Sequence, residues 1–232
     1  MGRRALKKIH NDVDLSRHFV AGLDQLAAPL EVASLFDFDA PLEVEVGSGK
    51  GMFLAAAAEA VPQHNFLGIE VSGKYARFAA AKLARLEAPN ARMIHGDALR
   101  LFREFLRSDS VAAVHVYFPD PWWKKRHRKR RVMNEAFVAD VERVLQPGGR
   151  LHFWTDVEEY FHTTLELLDR VSQLAGPREV VDGQIGGSAP WRTHFDRRMQ
   201  LGEQPVYRAE FVHEPAAAAA KASSAADTSN AI

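Results

Sequence analysis

The chain has no cysteine. That excludes a disulfide scaffold, a cysteine nucleophile and a thiolate zinc site, and it suits a reducing cytosol. The chain also lacks any apolar run near the ~20 residues that a membrane helix requires. Neither charge is in excess: 30 Lys and Arg balance 30 Asp and Glu, for a net charge of zero at pH 7. Any affinity for a polyanion must therefore come from segregation of charge along the chain. Paired metal-ligand spacings such as H-E-x-x-H are missing and the ten histidines are scattered, so no metal site is expected. No Ser-His-Asp grouping can be argued from spacing either. The first residues are basic (Arg3, Arg4, Lys7, Lys8), but no apolar stretch of signal-peptide length follows, so secretion is not expected and the cytoplasm is.

What is present fits one α/β domain. With 232 residues, 47% hydrophobic and 26% charged, the composition is that of an ordinary globular chain. From residue 41, short apolar β-branched runs alternate with segments of helical spacing, the pattern of a doubly wound, mostly parallel sheet. Strands are expected over 42–46, 65–70, 91–95, 111–118 and 150–155, with helices over 51–60, 74–87, 99–106 and 134–145. The last helix should stop at Gln146-Pro147-Gly148-Gly149, where proline and glycine turn the chain into the next strand. A further helix is expected from 156 to about 174, then a short strand near 179–182 and a final one over 206–213. We divide the chain into a basic N-terminal extension (1–39, some helix expected around 20–35), a domain over 40–214, and an Ala/Ser-rich tail (215–232) expected to be disordered.

The first strand runs into Glu45-Val46-Gly47-Ser48-Gly49-Lys50-Gly51. Glycines here let the backbone turn tightly and a ligand approach the main chain. The spacing is G-x-G-x-G after an acid, not the G-x-G-x-x-G of dinucleotide sites. Two further acids fall at equivalent places: Glu70 closes the second strand and Asp97 follows the third. Glu70 could accept both ribose hydroxyls of an adenosine, and Asp97 could meet the adenine amino group. A single such acid would read as a helix cap or a solvated strand end; three in register favour a ligand. This arrangement, over roughly residues 41–156, resembles class I S-adenosylmethionine-dependent methyltransferases. The resemblance implies a seven-stranded sheet with helices on both faces and S-adenosylmethionine held by Glu45, Gly47, Gly49, Glu70 and Asp97.

The fourth strand leads into Phe118-Pro119-Asp120-Pro121-Trp122-Trp123, then into Lys124-Lys125-Arg126-His127-Arg128-Lys129-Arg130-Arg131. Prolines stiffen a loop, and at this place in such a sheet the loop would hold Asp120 where a substrate base lies. A lone Pro-Asp-Pro is usually a turn, and most basic runs are solvated. Their junction at the mouth of a cofactor site favours polyanion contact instead. Together with Thr155-Asp156 and Thr193-His194-Phe195-Asp196-Arg197-Arg198, this string is similar to the signature of the tRNA (guanine-N7)-methyltransferases over about residues 40–213. The resemblance implies methyl transfer to N7 of a guanine in the tRNA variable loop. Asp120 would be the catalytic acid and a cofactor contact. Lys124, Asp156, Thr193, His194, Phe195 and Asp196 would touch substrate, and Arg126, His127, Arg128, Lys129, Arg130 and Arg131 would bind RNA. Asp196 departs from the family's usual glutamate. Two other readings stay open: a methyltransferase acting on an exocyclic amino group, and a non-catalytic nucleotide-binding or Rossmann-like protein. Monomer and homodimer are equally compatible with the sequence.

Overall fold

The structure, a computed structural model, describes residues 13–178 and 205–214. In chain order the strands are β1 (Phe19–Val20), β2 (Leu42–Val46), β3 (Asn65–Glu70), β4 (Ala91–His95), β5 (Val111–Tyr117), β6 (Leu145–Thr155), β7 (Ala175–Arg178) and β8 (Tyr207–Val212). The helices are α1 (Met52–Ala60), α2 (Gly73–Arg85), the single turn α3 (Ala98–Arg100), which continues as a wider π turn over Leu101–Phe105, α4 (Glu135–Val144) and α5 (Glu158–Val171).

All strands form one sheet in the order β1-β4-β3-β2-β5-β6-β8-β7. β1 to β6 pair in parallel, and β8 is antiparallel to both β6 and β7. The chain winds outward from β2 through β3 and β4, then returns to lay β5 on the other side of β2. The gap between the ends of β2 and β5 is therefore a topological switch point, where sheets of this type bind ligands.

Among the described residues the sheet has eight strands, where seven are expected: Phe19–Val20 adds to the outer side of β4, and Ala175–Arg178 forms β7. The helix expected around 20–35 is replaced by two short 3-10 turns, Leu23–Gln25 and Val32–Ser34. Gly22 and Pro29 interrupt the segment, and the pieces left are too short to nucleate a helix. Their apolar side chains still find the core: Leu23, Leu30 and Phe36 are buried. Helix α4 ends at Val144, and the Gln146–Gly149 segment forms an irregularity in β6, with Gly148 at φ +83°. The strand expected near 179–182 lies outside the described residues, as do the tail over 215–232 and the first twelve residues of the basic extension over 1–39; β7 at 175–178 precedes the former.

Period-two alternation sends the two sets of side chains to different layers. Val44, Val114, Val116, Leu151 and Phe153 join α4 and α5 in one apolar cluster, while Phe66, Met93, Tyr117 and Trp154 join the alanine-rich faces of α1 and α2 in another. Beside the second cluster runs a buried polar ladder. Glu43 receives the ring nitrogens of His64 (2.6 Å) and His115 (2.7 Å), and His115 stacks flat on His152 at 4.9 Å. Burial pushes the Glu43 carboxyl up, but the hydrogen bonds and charge of His115 and then His64 prevail and hold it at about 2.

Candidate active site

Because β2 to β6 are parallel, their carboxyl ends open on one edge of the sheet. The carboxyl ends of β4, β3, β2, β5 and β6 and the turns that leave them place Asp97, Glu70, the glycine turn, Asp120 and Asp156 there in that order. Residues scattered over about half the chain become one row for this reason alone.

The turn after β2 passes through Gly47, Gly49 and Gly51 at φ of +76°, +52° and +62°, a left-handed path that costs other residues about 1–2 kcal/mol each. A Cβ at Gly51 would also sit 2.7 Å from the Cβ of Ala79 in α2. At Gly47 nothing lies within 4 Å of the Cβ position, so the backbone there is open to a ligand. The N–H groups of Gly47 and Ser48 donate to Ile69 O at 2.9 and 3.2 Å, tying the turn to β3.

Glu45, one residue before the turn's approach, is only 6% exposed, and its Oε2 has no hydrogen-bond partner among the described residues. Burial pushes its carboxyl up to about 8, with Ser48 and Lys82 pulling the other way and Glu70 adding to the rise. A buried acid with a spare oxygen beside an open glycine turn is suited to a cationic ligand group, which would restore its charge. Glu70 is oriented by main chain: Oε2 accepts from Gly49 N at 2.9 Å and Oε1 from Ser72 N at 2.8 Å. Next to it Val71 is 73% exposed, an apolar side chain that sequence reasoning did not single out because one valine after a strand carries no pattern. Asp97 caps α3, accepting from Leu99 N at 2.9 Å; the capping role that a lone acid suggests is the one observed, and the side chain remains exposed at the edge.

After β5 the chain enters the Pro119-Asp120-Pro121 loop with Phe118 at φ +49° and Trp122 at φ +48°. Left-handed bulky residues cost about 1–3 kcal/mol each and persist only where the surroundings impose them. Two such constraints are visible. Phe118 N donates to Trp154 O at 2.8 Å on β6. Arg131 then reaches back across the loop: its Nε donates to Pro121 O at 2.8 Å, its guanidinium pairs with Glu159 at 2.7 Å, and it lies 4.3 Å over the ring of Tyr160 in α5. Arg131 is only 8% exposed. The sequence groups it with the RNA-binding run; in the structure its side chain fastens the Asp120 loop to α5. Nothing in the sequence joins Arg131 to Glu159, which lie 28 residues apart.

The rest of the basic run forms a 3-10 turn over Lys125–Arg130. Lys124, Lys125, Arg126, Lys129 and Arg130 are exposed. Arg128 pairs with Glu159 at 3.1 Å, and His127 meets the edge of Trp122 at 6.0 Å. Asp120 itself is exposed. Asp156 is half-buried after Thr155, whose Oγ1 accepts from Val157 N at 3.2 Å and so shapes the turn into α5. Thr193, His194, Phe195 and Asp196 lie outside the described residues. Among the described residues there is no cluster of three metal-ligating side chains, and no helix is long and apolar enough to cross a membrane.

A family model described as "Putative methyltransferase" matches residues 39–209. The chain is 44% identical over 214 residues to the tRNA (guanine-N(7)-)-methyltransferase of Rhodopirellula baltica, a match covering 90% of this chain and 79% of that protein. It is 38% identical over 182 residues to the enzyme of the same name from Alcanivorax borkumensis, covering 76% and 74%. Among solved structures, it resembles a SAM-dependent methyltransferase from Aquifex aeolicus with a TM-score of 0.52 at 14% identity, over 78% of this chain and 87% of that one. It also resembles an antibiotic-related methyltransferase with a TM-score of 0.54 at 12% identity, over 78% and 92%. At those identities the likeness is one of fold.

Proposed function

The chain belongs to the tRNA (guanine-N7)-methyltransferase family, and from that premise we propose how its residues share the work of moving a methyl group from S-adenosylmethionine to N7 of a guanine in tRNA. The observation that carries this division of labour is the meeting, at the switch point between β2 and β5, of an open glycine turn with a stiff acidic loop. The residues present fit the cofactor. The unpartnered buried oxygen of Glu45 suits an ammonium group, Glu70 suits ribose hydroxyls, Gly47 and Gly49 leave room for the ligand, and Val71 and Asp97 suit an adenine face and its amino group. When bound, S-adenosylmethionine supplies an electrophilic methyl carbon on a sulfonium.

Guanine N7 already carries an in-plane lone pair and no proton, so no general base is needed to create the nucleophile. Positioning then dominates, and alignment of bound reactants can supply up to about 7–11 kcal/mol of the barrier. Asp120 orients the base and stabilises the cationic ring that methylation produces. The Watson–Crick edge of guanine presents N1–H and N2–H₂ side by side, which a carboxylate accepts in a bidentate way; adenine presents an acceptor at N1 instead. Asp156 and Asp196 are assigned this selection. Lys124 and the exposed cations Arg126, Lys129 and Arg130 take phosphates, with Arg128 and His127 at the margin of that surface. A tRNA substrate is met in the cytoplasm, and that is the location this reading carries with it.

The test is methyl transfer from labelled cofactor into bulk tRNA, followed by nucleoside identification by mass spectrometry. Label in 7-methylguanosine is expected. Label on an exocyclic amino group, or none with intact cofactor binding, overturns the reading.

A further inference from the structure

The two adjacent tryptophans of the catalytic loop have different fates. Trp122, turned by its φ of +48°, is held against His127 at 6.0 Å and under the Arg130 guanidinium at 5.1 Å. Trp123 turns outward and is 69% exposed. Single exposed apolar residues are ordinary, but a tryptophan is normally among the most buried side chains, and this one sits in the most cationic part of the chain. Lys124 and Lys125 follow it, both exposed. The backbone on both sides of it is hydrogen-bonded. Arg131 fastens Pro121 O to α5, and the next turn is closed by His127 N donating to Lys124 O at 2.7 Å. The backbone on either side of the indole is thus tied down, which lowers the ordering cost on binding.

We propose that Trp123 is a stacking platform for an unpaired base of the tRNA, the nucleotide next to the target guanine. Only Pro121 and Trp122 separate it from Asp120, so the two α-carbons lie within about 11 Å of each other. An indole face accepts any base, and ammonium groups on the following residues meet the phosphates that flank a stacked nucleotide. The target guanine itself must lie deeper, with N7 towards the glycine turn, so Trp123 takes its neighbour. Stacking there holds the strand open beside the reacting base and adds to affinity without reading sequence.

This inference rests on the tRNA methyltransferase reading and is tested by binding, so that the two fail separately. In the full chain, Trp123→Ala should weaken tRNA binding about tenfold, the usual scale for losing one base–aromatic stack. Trp123→Phe should restore most of the loss and Trp123→Leu should not. The slope of log Kd against log salt should stay that of the parent, since every cation that faces a phosphate is still in place. Tight tRNA binding by the alanine variant overturns the proposal. So does equal rescue by leucine, or a change in oligomeric mass on Trp123→Ala, which would assign the indole to self-association. If the parent protein forms no 7-methylguanosine, the function fails instead, and the binding series reports on Trp123 regardless.

Discussion

The glycine turn after β2 and the Pro-Asp-Pro loop after β5 stand side by side on paired parallel strands, yet they are held by different means. The turn is locked from below: β2 is buried along its whole length, Gly51 abuts Ala79, and Glu45 is sunk among side chains with its charge suppressed. The loop is part-exposed and is held by Phe118 N on Trp154 O at one end and by Arg131, bridging to Glu159 and Tyr160, at the other. A cofactor common to many substrates can be met by a rigid socket that is continuous with the core. A folded RNA must be met by an exposed, charged surface, and its precision has to come from a polar clamp. Changes in the socket should therefore register in stability and cofactor affinity, and changes in the loop in turnover and RNA affinity.

The sharpest break is Asp120→Ala. Turnover at saturating cofactor should fall at least about 100-fold, the scale of a misplaced reactant, with cofactor affinity less affected. Near-normal turnover would remove this residue from the chemistry.

On the socket side, Gly51→Ala should cost about 2–4 kcal/mol in denaturant unfolding, from a left-handed φ and the 2.7 Å approach to Ala79. A melt unchanged from the parent would show that the socket is not held by the core.

Arg131→Lys separates a clamp from an RNA contact. Lysine keeps the charge but not the fork, so turnover should drop roughly tenfold by loosening the positioned reactants, with the salt slope unchanged. Retained turnover with a weaker salt dependence would return Arg131 to the RNA surface.

The socket should also be the pH-sensitive half. A cationic ligand group needs Glu45 ionised, and its folded pKa is raised to about 8. Cofactor affinity should then weaken as pH falls below about 8, by up to roughly tenfold per unit, and Glu45→Gln should flatten the profile. For the unliganded fold the sign is opposite: the raised pKa contributes stability that is complete below the ordinary value of 4.5 and is lost as pH rises to about 8. The buried His152 works the other way. Burial, and then the charge of His115, hold its pKa well below 6.5, so its contribution is present above that value and is lost as pH falls. An affinity profile level between pH 6 and about 9 would overturn the role given to Glu45.

The smallest effect is expected on the rim. Neutralising Arg126, Lys129 and Arg130 together should flatten the salt dependence of tRNA binding by about 0.7 log units for each phosphate left without its cation. An unchanged slope would show that the run does not touch RNA.

The strands over 42–46, 65–70 and 91–95 were legible residue for residue, because apolar runs bounded by turn residues leave little choice of period. The edge strand at Phe19–Val20 was not: two residues have no period, and only pairing with β4 makes them a strand. The glycine turn and the acids at the strand ends were legible for a similar reason. They lie at fixed places after successive strands, and local spacing reports on them. Arg131 was read as one more cation of its run, and only packing against α5 tells it from its neighbours. Likewise the dipeptide Trp122-Trp123 contains nothing that says which ring faces out.

By itself, the order of residues determined the parallel winding, the glycine turn, the acids at the strand ends and the placing of a cationic run beside a stiff acid, since each follows from short-range sterics and hydrophobic period. Tertiary structure alone decided which of those charges are spent inside. Glu45 loses its charge by burial, Glu43 keeps its own through two histidines from distant strands and loops, and Arg131 is buried against Glu159. Electrostatic free energy depends on depth and on partners brought together by the fold, and neither is written in the spacing of the residues that carry it.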